Sequence, residues 1–267
     1  MTTTARPTSY TYTPATTIDD VIGQLDEIIA QAMVERSRLG FFAVLYRTVT
    51  AAVKEGIAQG RFDDGPRMER LDVVFANRYL DAYHAHRSGG TPTRSWQAAF
   101  AAGTSRRAVI LQHLLLGMNA HINLDLAIAA AEVCPGSSIA GLERDFNEIN
   151  AVLAYLERGV QEEVCELSPW IDRLNRIDPR VGRVVANFSI DKARACSWAV
   201  AQRLAYLDGP ARDATIAAID AEIAMLARLI ERPVGFVINL NLVLVRLRET
   251  WDPCKIMTVL GRSTSAL

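Results

Sequence analysis

The chain has 267 residues, half of them apolar and 22% charged, with a formal net charge of −1. That length suffices for one large domain or two small ones, with a substantial core. The near-neutral balance argues against bulk electrostatic binding of nucleic acid or of an anionic membrane.

Nearly every segment has helical period. Residues 1–16 read as a flexible Thr-rich arm: the first 17 positions hold eight Thr, one Arg and no apolar run, so a targeting segment is not expected. Thr17 with Asp20 resembles a capping box, and Ile18, Val21, Ile22, Leu25, Ile28 and Ile29 make an apolar stripe that carries a first helix to about Arg38. A second helix is expected over 41–58. Gly65-Pro66 opens a third, which runs to about Arg87, and the Gly- and Pro-containing stretch 88–92 is a loop. A short helix follows over 95–102, with Trp96 and Phe100 on one face.

The stretch 108–131, AVILQHLLLGMNAHINLDLAIAAA, is the most unusual part of the chain. Its 24 residues carry one formal charge, Asp125. Apolar residues lie all around its helical wheel, the pattern of a helix buried on every side. Thr104 or Ser105 is placed to cap it, and Cys134-Pro135-Gly136 to close it. It is long enough to span a bilayer, but His113, Asn119, His121, Asn123 and Asp125 interrupt it, and no aromatic or basic anchors stand at its end. An integral membrane protein is therefore not expected.

Helix six is expected over 138–166. Pro169 starts a short helical turn, and Asp178-Pro179 a long helix to about Leu207. After the turn at Asp208-Gly209-Pro210 comes a helix over 211–231, which Pro233 ends. Residues 234–247 (VGFVINLNLVLVRL) are rich in β-branched side chains but find no partner strand elsewhere, so they read as a last buried helix. Residues 251–267 remain as a tail. The fold expected is all-α: a single domain over 17–250, a bundle of about eight or nine helices around a central buried one. The four cysteines stand far apart without a CxxC. They are expected to be buried free thiols in a reducing cytoplasm.

Three stretches, FANRYLDAY (75–83), QHLLLGMNAHINLDLAIA (112–128) and DFNEINAVL (145–153), together resemble an actinobacterial family of unknown function, DUF5995, over about residues 18–250. The resemblance brings no reaction with it. It implies that Asn77, Arg78, His113, Asn119, His121, Asn123, Asp125, Asp145 and Asn150 fall at motif positions.

On a helical wheel His121 and Asp125 are four apart and share a face, about 40° from each other. Asn119 and Asn123 form a second pair about 160° away, with His113 between the two sets. Neutral polar groups cost about 2–7 kcal/mol each to bury without a partner. The set is thus either a satisfied interhelix network or a site. A His–carboxylate pair serves acid–base chemistry or metal binding. On helix six, Asp145 and Glu148 can face one neighbour, and Asp145 and Asn150 are candidate site residues. Arg194, spaced with Asp191 and Trp198, could hold an anionic ligand or pair with a carboxylate.

The expected function is an enzyme acting on a small, largely apolar metabolite, by hydrolysis or by non-redox cyclisation or isomerisation. His121, Asp125 and His113 are its catalytic candidates. Asn119, Asn123, Asn77, Arg78, Asp145, Asn150 and Arg194 would bind substrate. A divalent metal, if used, would take His113, His121 and Asp125. The alternative is a non-catalytic ligand-binding or scaffold bundle. A weaker one is a di-metal oxidase built on Asp81-x-x-His84 and His121-x-x-x-Asp125, although the usual Glu-x-x-His is absent and His84 reads better as a surface residue. There is no GxSxG, P-loop, GxGxxG, DDxxD or His-Glu-x-x-His.

Overall fold

The computed structural model describes residues 12–168 and 190–262. The short helical turn expected at Pro169 and the start of the long helix at Asp178-Pro179 lie outside them. The described residues form 11 α-helices and no β-strand, more helices than the eight or nine expected. In chain order they are α1 (Ile18–Glu35), α2 (Gly40–Ala58), α3 (Gly65–Arg87), α4 (Arg94–Thr104), α5 (Ile110–Ala120), α6 (Leu126–Val133), α7 (Glu143–Leu167), α8 (Ile190–Leu204), α9 (Gly209–Glu231), α10 (Phe236–Arg248) and α11 (Pro253–Leu260).

Local chemistry sets several of these ends. Thr17 and Asp20 form the reciprocal capping box at α1. That helix stops at Glu35, short of Arg38, because Arg36 turns left-handed at φ 53° and its N–H closes on Ala32 and Met33. Pro66 sits in the first turn of α3, where its missing N–H costs nothing. Residues 136–142, expected as helical from 138, make a tighter 3₁₀ turn before α7.

α5 and α6 are one continuous core element, joined by a π-helical turn at His121–Asp125. The Leu126 N–H reaches back five residues to the His121 carbonyl. The first half of this element packs against α2, α4, α7 and α9, the second against α3 and α8, and the π turn against α3, α8 and α9. Ile110–Val133 is long and apolar enough to cross a bilayer, but 83% of its most apolar window is buried inside the protein. A core helix accounts for it.

Two expectations fail at the C-terminal end. α10 is a helix, but not a buried one. Phe236, Leu240, Val243, Leu244 and Leu247 are exposed along one stripe, while Val245 and Arg246 turn inward. The tail expected from 251 instead carries α11, whose Ile256, Met257, Val259 and Leu260 are buried beside α1, α2 and α7. All four cysteines are free thiols, but only Cys134 is buried.

Candidate functional site

The site forms where the π turn meets α3 and α4. Asp125 is 1% exposed and meets three donors. Arg78 Nε on α3 reaches its Oδ1 at 3.1 Å. The Trp96 indole N–H on α4 reaches Oδ2 at 2.8 Å. His121 Nδ1 stands 3.3 Å from the same Oδ2. Thus the buried charge in the central helix finds a cation and two neutral donors, which compensates its burial.

His121 is caged by rings. Phe75 stacks on it at 3.6 Å between centroids, with Tyr46 edge-on at 4.3 Å and Phe42 edge-on at 5.6 Å. Burial holds its pKa below the usual imidazole value, against the upward pull of Asp125, and Arg78 adds a downward push. The ring is therefore neutral near pH 7. With Nδ1–H donated to Asp125, Nε2 is a lone-pair acceptor, and it is buried without a partner.

One turn before His121 on the same stripe lies Gly117, and one turn before that His113. A Cβ on Gly117 would stand 2.5 Å from the Phe42 ring, so only glycine lets that ring settle on the helix. Phe42 also borders a small cavity, with Arg38, Tyr79, Trp96, Phe100 and His113 on its other sides. The cavity encloses about 20 Å³, room for about one water molecule. His113 is buried, and its Nε2 also lacks a partner. Burial pushes its pKa down to about 3, with Arg38 and Arg246 adding to the effect.

The other expected site residues serve the architecture. Asn119 donates to the Ile223 carbonyl at 3.1 Å and accepts from Asn123 at 3.0 Å, tying the central helix to α9. Asn77 makes a two-way pair with the Ala15 backbone, 2.8 and 2.9 Å. Asp145 accepts from the N–H groups of Asp63 and Asp64 and from Arg67 Nη2 at 2.7 Å, at the start of α3. Burial pushes the Asp145 carboxyl up, but Arg67 and the two backbone donors outweigh it and hold it below the ordinary range. Arg194 is buried. It donates to Asn150 Oδ1 at 2.5 Å and to the Phe146 carbonyl, and lies over the Phe146 ring at 4.4 Å. Asp145, Asn150 and Arg194 therefore pin helices together rather than face the His121 cluster.

The metal set does not assemble. His113 and His121 stand eight residues apart, about 12 Å along the axis at 1.5 Å per residue, whereas ligands to one ion lie about 2 Å from it. Among the described residues no three His, Cys, Asp or Glu side chains converge on a point. His84 stacks on Tyr12 at 4.1 Å and His86 on Phe100 at 4.9 Å, so the second His–carboxylate pair does not join the first.

Sequence reasoning missed Trp96 as a ligand of Asp125, the rings around His121, and the π turn that presents it. Trp96 shares a face with Phe100, and that apolar pattern hid its N–H. Residues 18–233 match the model of a family of unknown function, DUF5995. No curated protein and no solved structure matches the chain.

Proposed function

We propose that this chain, which belongs to the DUF5995 family, is an enzyme of the acid–base class acting on a small, largely apolar molecule. The observation that carries the reading is the unpartnered Nε2 of His121, on a ring whose Nδ1 is held by Asp125. A neutral imidazole oriented by a carboxylate is a proton acceptor, and Asp125 would stabilise the imidazolium that forms, against the opposing charge of Arg78. Trp96 fixes the carboxylate. The ring cage excludes water, which strengthens each of these interactions. Phe42 borders both the cavity and His121, so rotation of its ring off Gly117 would join the two and admit a substrate. The π turn fits this reading, since such turns are frequent at functional sites. Hydrolysis and non-redox isomerisation or cyclisation both need a base of this kind. A cytoplasmic setting agrees with the free thiols.

A second reading has its own support. Three donors saturate Asp125, and the cavity admits little more than a water. On that reading the cluster only fixes the register of α3, α4 and the central helix. The two separate in one experiment. Wild-type protein and His121→Gln are incubated with a small-metabolite extract and followed by mass spectrometry, with melts recorded on both. Turnover of a component by wild type alone, with both proteins folded, supports the enzyme. Identical extracts after both incubations contradict it.

A further inference from the structure

The cavity has an unbalanced charge at its edge. Arg38, in the turn between α1 and α2, lines it together with Leu39, Phe42, Trp96, Phe100 and His113. Among the described residues, the only hydrogen bond from the Arg38 side chain is a long one, 3.5 Å to the Gly103 carbonyl. Among the described residues no carboxylate lies within 4.0 Å of Arg38 or of Arg106.

Arg246 adds a third guanidinium, donating through Nε to the Arg106 carbonyl at 3.0 Å. The carboxylate beside it, Glu249, is already engaged by Ile110 N, by the Ser168 hydroxyl and by Arg246 itself at 3.4 Å. Burial lowers the Arg38 pKa, and Arg246 and Arg106 lower it further. A half-buried cation facing two others calls for an anion. Independently, His113 is 7% exposed, lines the same cavity and has an unpartnered Nε2. A polar atom so enclosed asks for a hydrogen-bonding partner.

We propose that the molecule this cavity takes is a small apolar anion. With Phe42 turned off Gly117, which widens the space beyond a single water, its carboxylate or other oxyanion would sit on Arg38 with Arg106 nearby, its body against Trp96 and Phe100, and a polar atom at its inner end would meet His113 Nε2. This inference rests on the reading of the cavity as the substrate's way to His121, and it supplies the substrate class. A guanidinium with no internal carboxylate binds an oxyanion through its planar fork, and aromatic walls select an apolar body.

The test is calorimetric titration of the full chain with phenylacetate, indole-3-acetate and octanoate, each against its neutral amide. The acids should bind at least ten-fold more tightly than the amides. Arg38→Gln, on a turn and outside the core, should erase that preference while leaving amide binding and the melting temperature near wild type. Equal binding of acid and amide overturns the anion inference and leaves the cavity reading standing. So does acid binding unchanged in Arg38→Gln. Failure of every acid and amide to bind at millimolar concentration overturns both.

Discussion

Asp125 shows how a single buried charge organises its surroundings. Each of its donors comes from a different place: Arg78 on α3, Trp96 on α4, His121 one turn earlier in the same helix. Trp96→Phe keeps the ring stack and removes one donor, so it should lower stability by about 1–2 kcal/mol in a denaturant titration. Asp125→Ala strands Arg78 as well and should cost about 3–5 kcal/mol. Two other buried groups should leave opposite marks on the pH dependence. His113 stays neutral in the folded chain down to about pH 3, whereas an unfolded imidazole takes its proton near pH 6.5. The unfolded state therefore binds more protons between those values, and stability falls as pH drops through that window. His113→Gln should flatten that limb, which urea titrations at pH 4.5 and 7.5 on both proteins would read. Asp72 runs the other way. Burial, with Glu69 adding to it, holds its proton to about pH 7, against 3.8 for an ordinary aspartate. The folded state binds the extra proton, so its contribution to stability is lost as pH rises between those values. Asp72→Asn should accordingly raise the melting temperature at pH 8 and change it little at pH 4.

Among the elements, three helix starts share one device. The chain ahead of α3 is held by Asp145 from α7, the first turn of α4 by Asp220 from α9, and the first residue of α5 by Glu249 beyond α10. Each is a buried carboxylate placed on backbone N–H groups at the positive end of a helix dipole, supplied by a distant part of the chain. Asp220→Ala should lower stability by about 1.5–3 kcal/mol. Combined with Glu249→Ala at a different helix, the losses should add to within about 0.5 kcal/mol. These contacts explain what the sequence could and could not tell. Caps read from neighbouring residues came out well: Thr17 with Asp20, and Pro66 inside α3. The cap expected from Thr104 or Ser105 did not, because those residues close α4, and Gln112 and Glu249 serve the start of α5 instead. A carboxylate 139 positions away leaves no local pattern. The π turn is likewise silent in sequence, because one added residue per turn barely alters an all-round apolar wheel. The polar side chains of the central helix were legible because each breaks that wheel. Which of them bind helices and which face the cavity depends on long-range neighbours alone.

Over the whole molecule, a largely apolar helix sits at the centre, packed by α2, α3, α4, α7, α8 and α9, with the polar cluster at the widened turn between its halves. α10 and α11 lie beyond the residues matched by the family model. α10 keeps Phe236 at 82% and Leu247 at 64% exposure, which is why an apolar, β-branched sequence misled the expectation of burial. Leu240→Gln on that stripe should change stability by less than about 0.5 kcal/mol, since it removes little packing. On the proposed function, His121 is a neutral, oriented imidazole that small molecules reach when the ring cage opens. Diethyl pyrocarbonate acylates neutral imidazole nitrogen and is itself small and largely apolar. Treatment of the native protein, with sites mapped by mass spectrometry, should modify His121 more slowly than His84 and His86 but well before unfolding, and Asp125→Asn should change that rate. Modification of His84 and His86 with His121 untouched until the protein unfolds would contradict the claim and leave the cluster a device for holding helices in register.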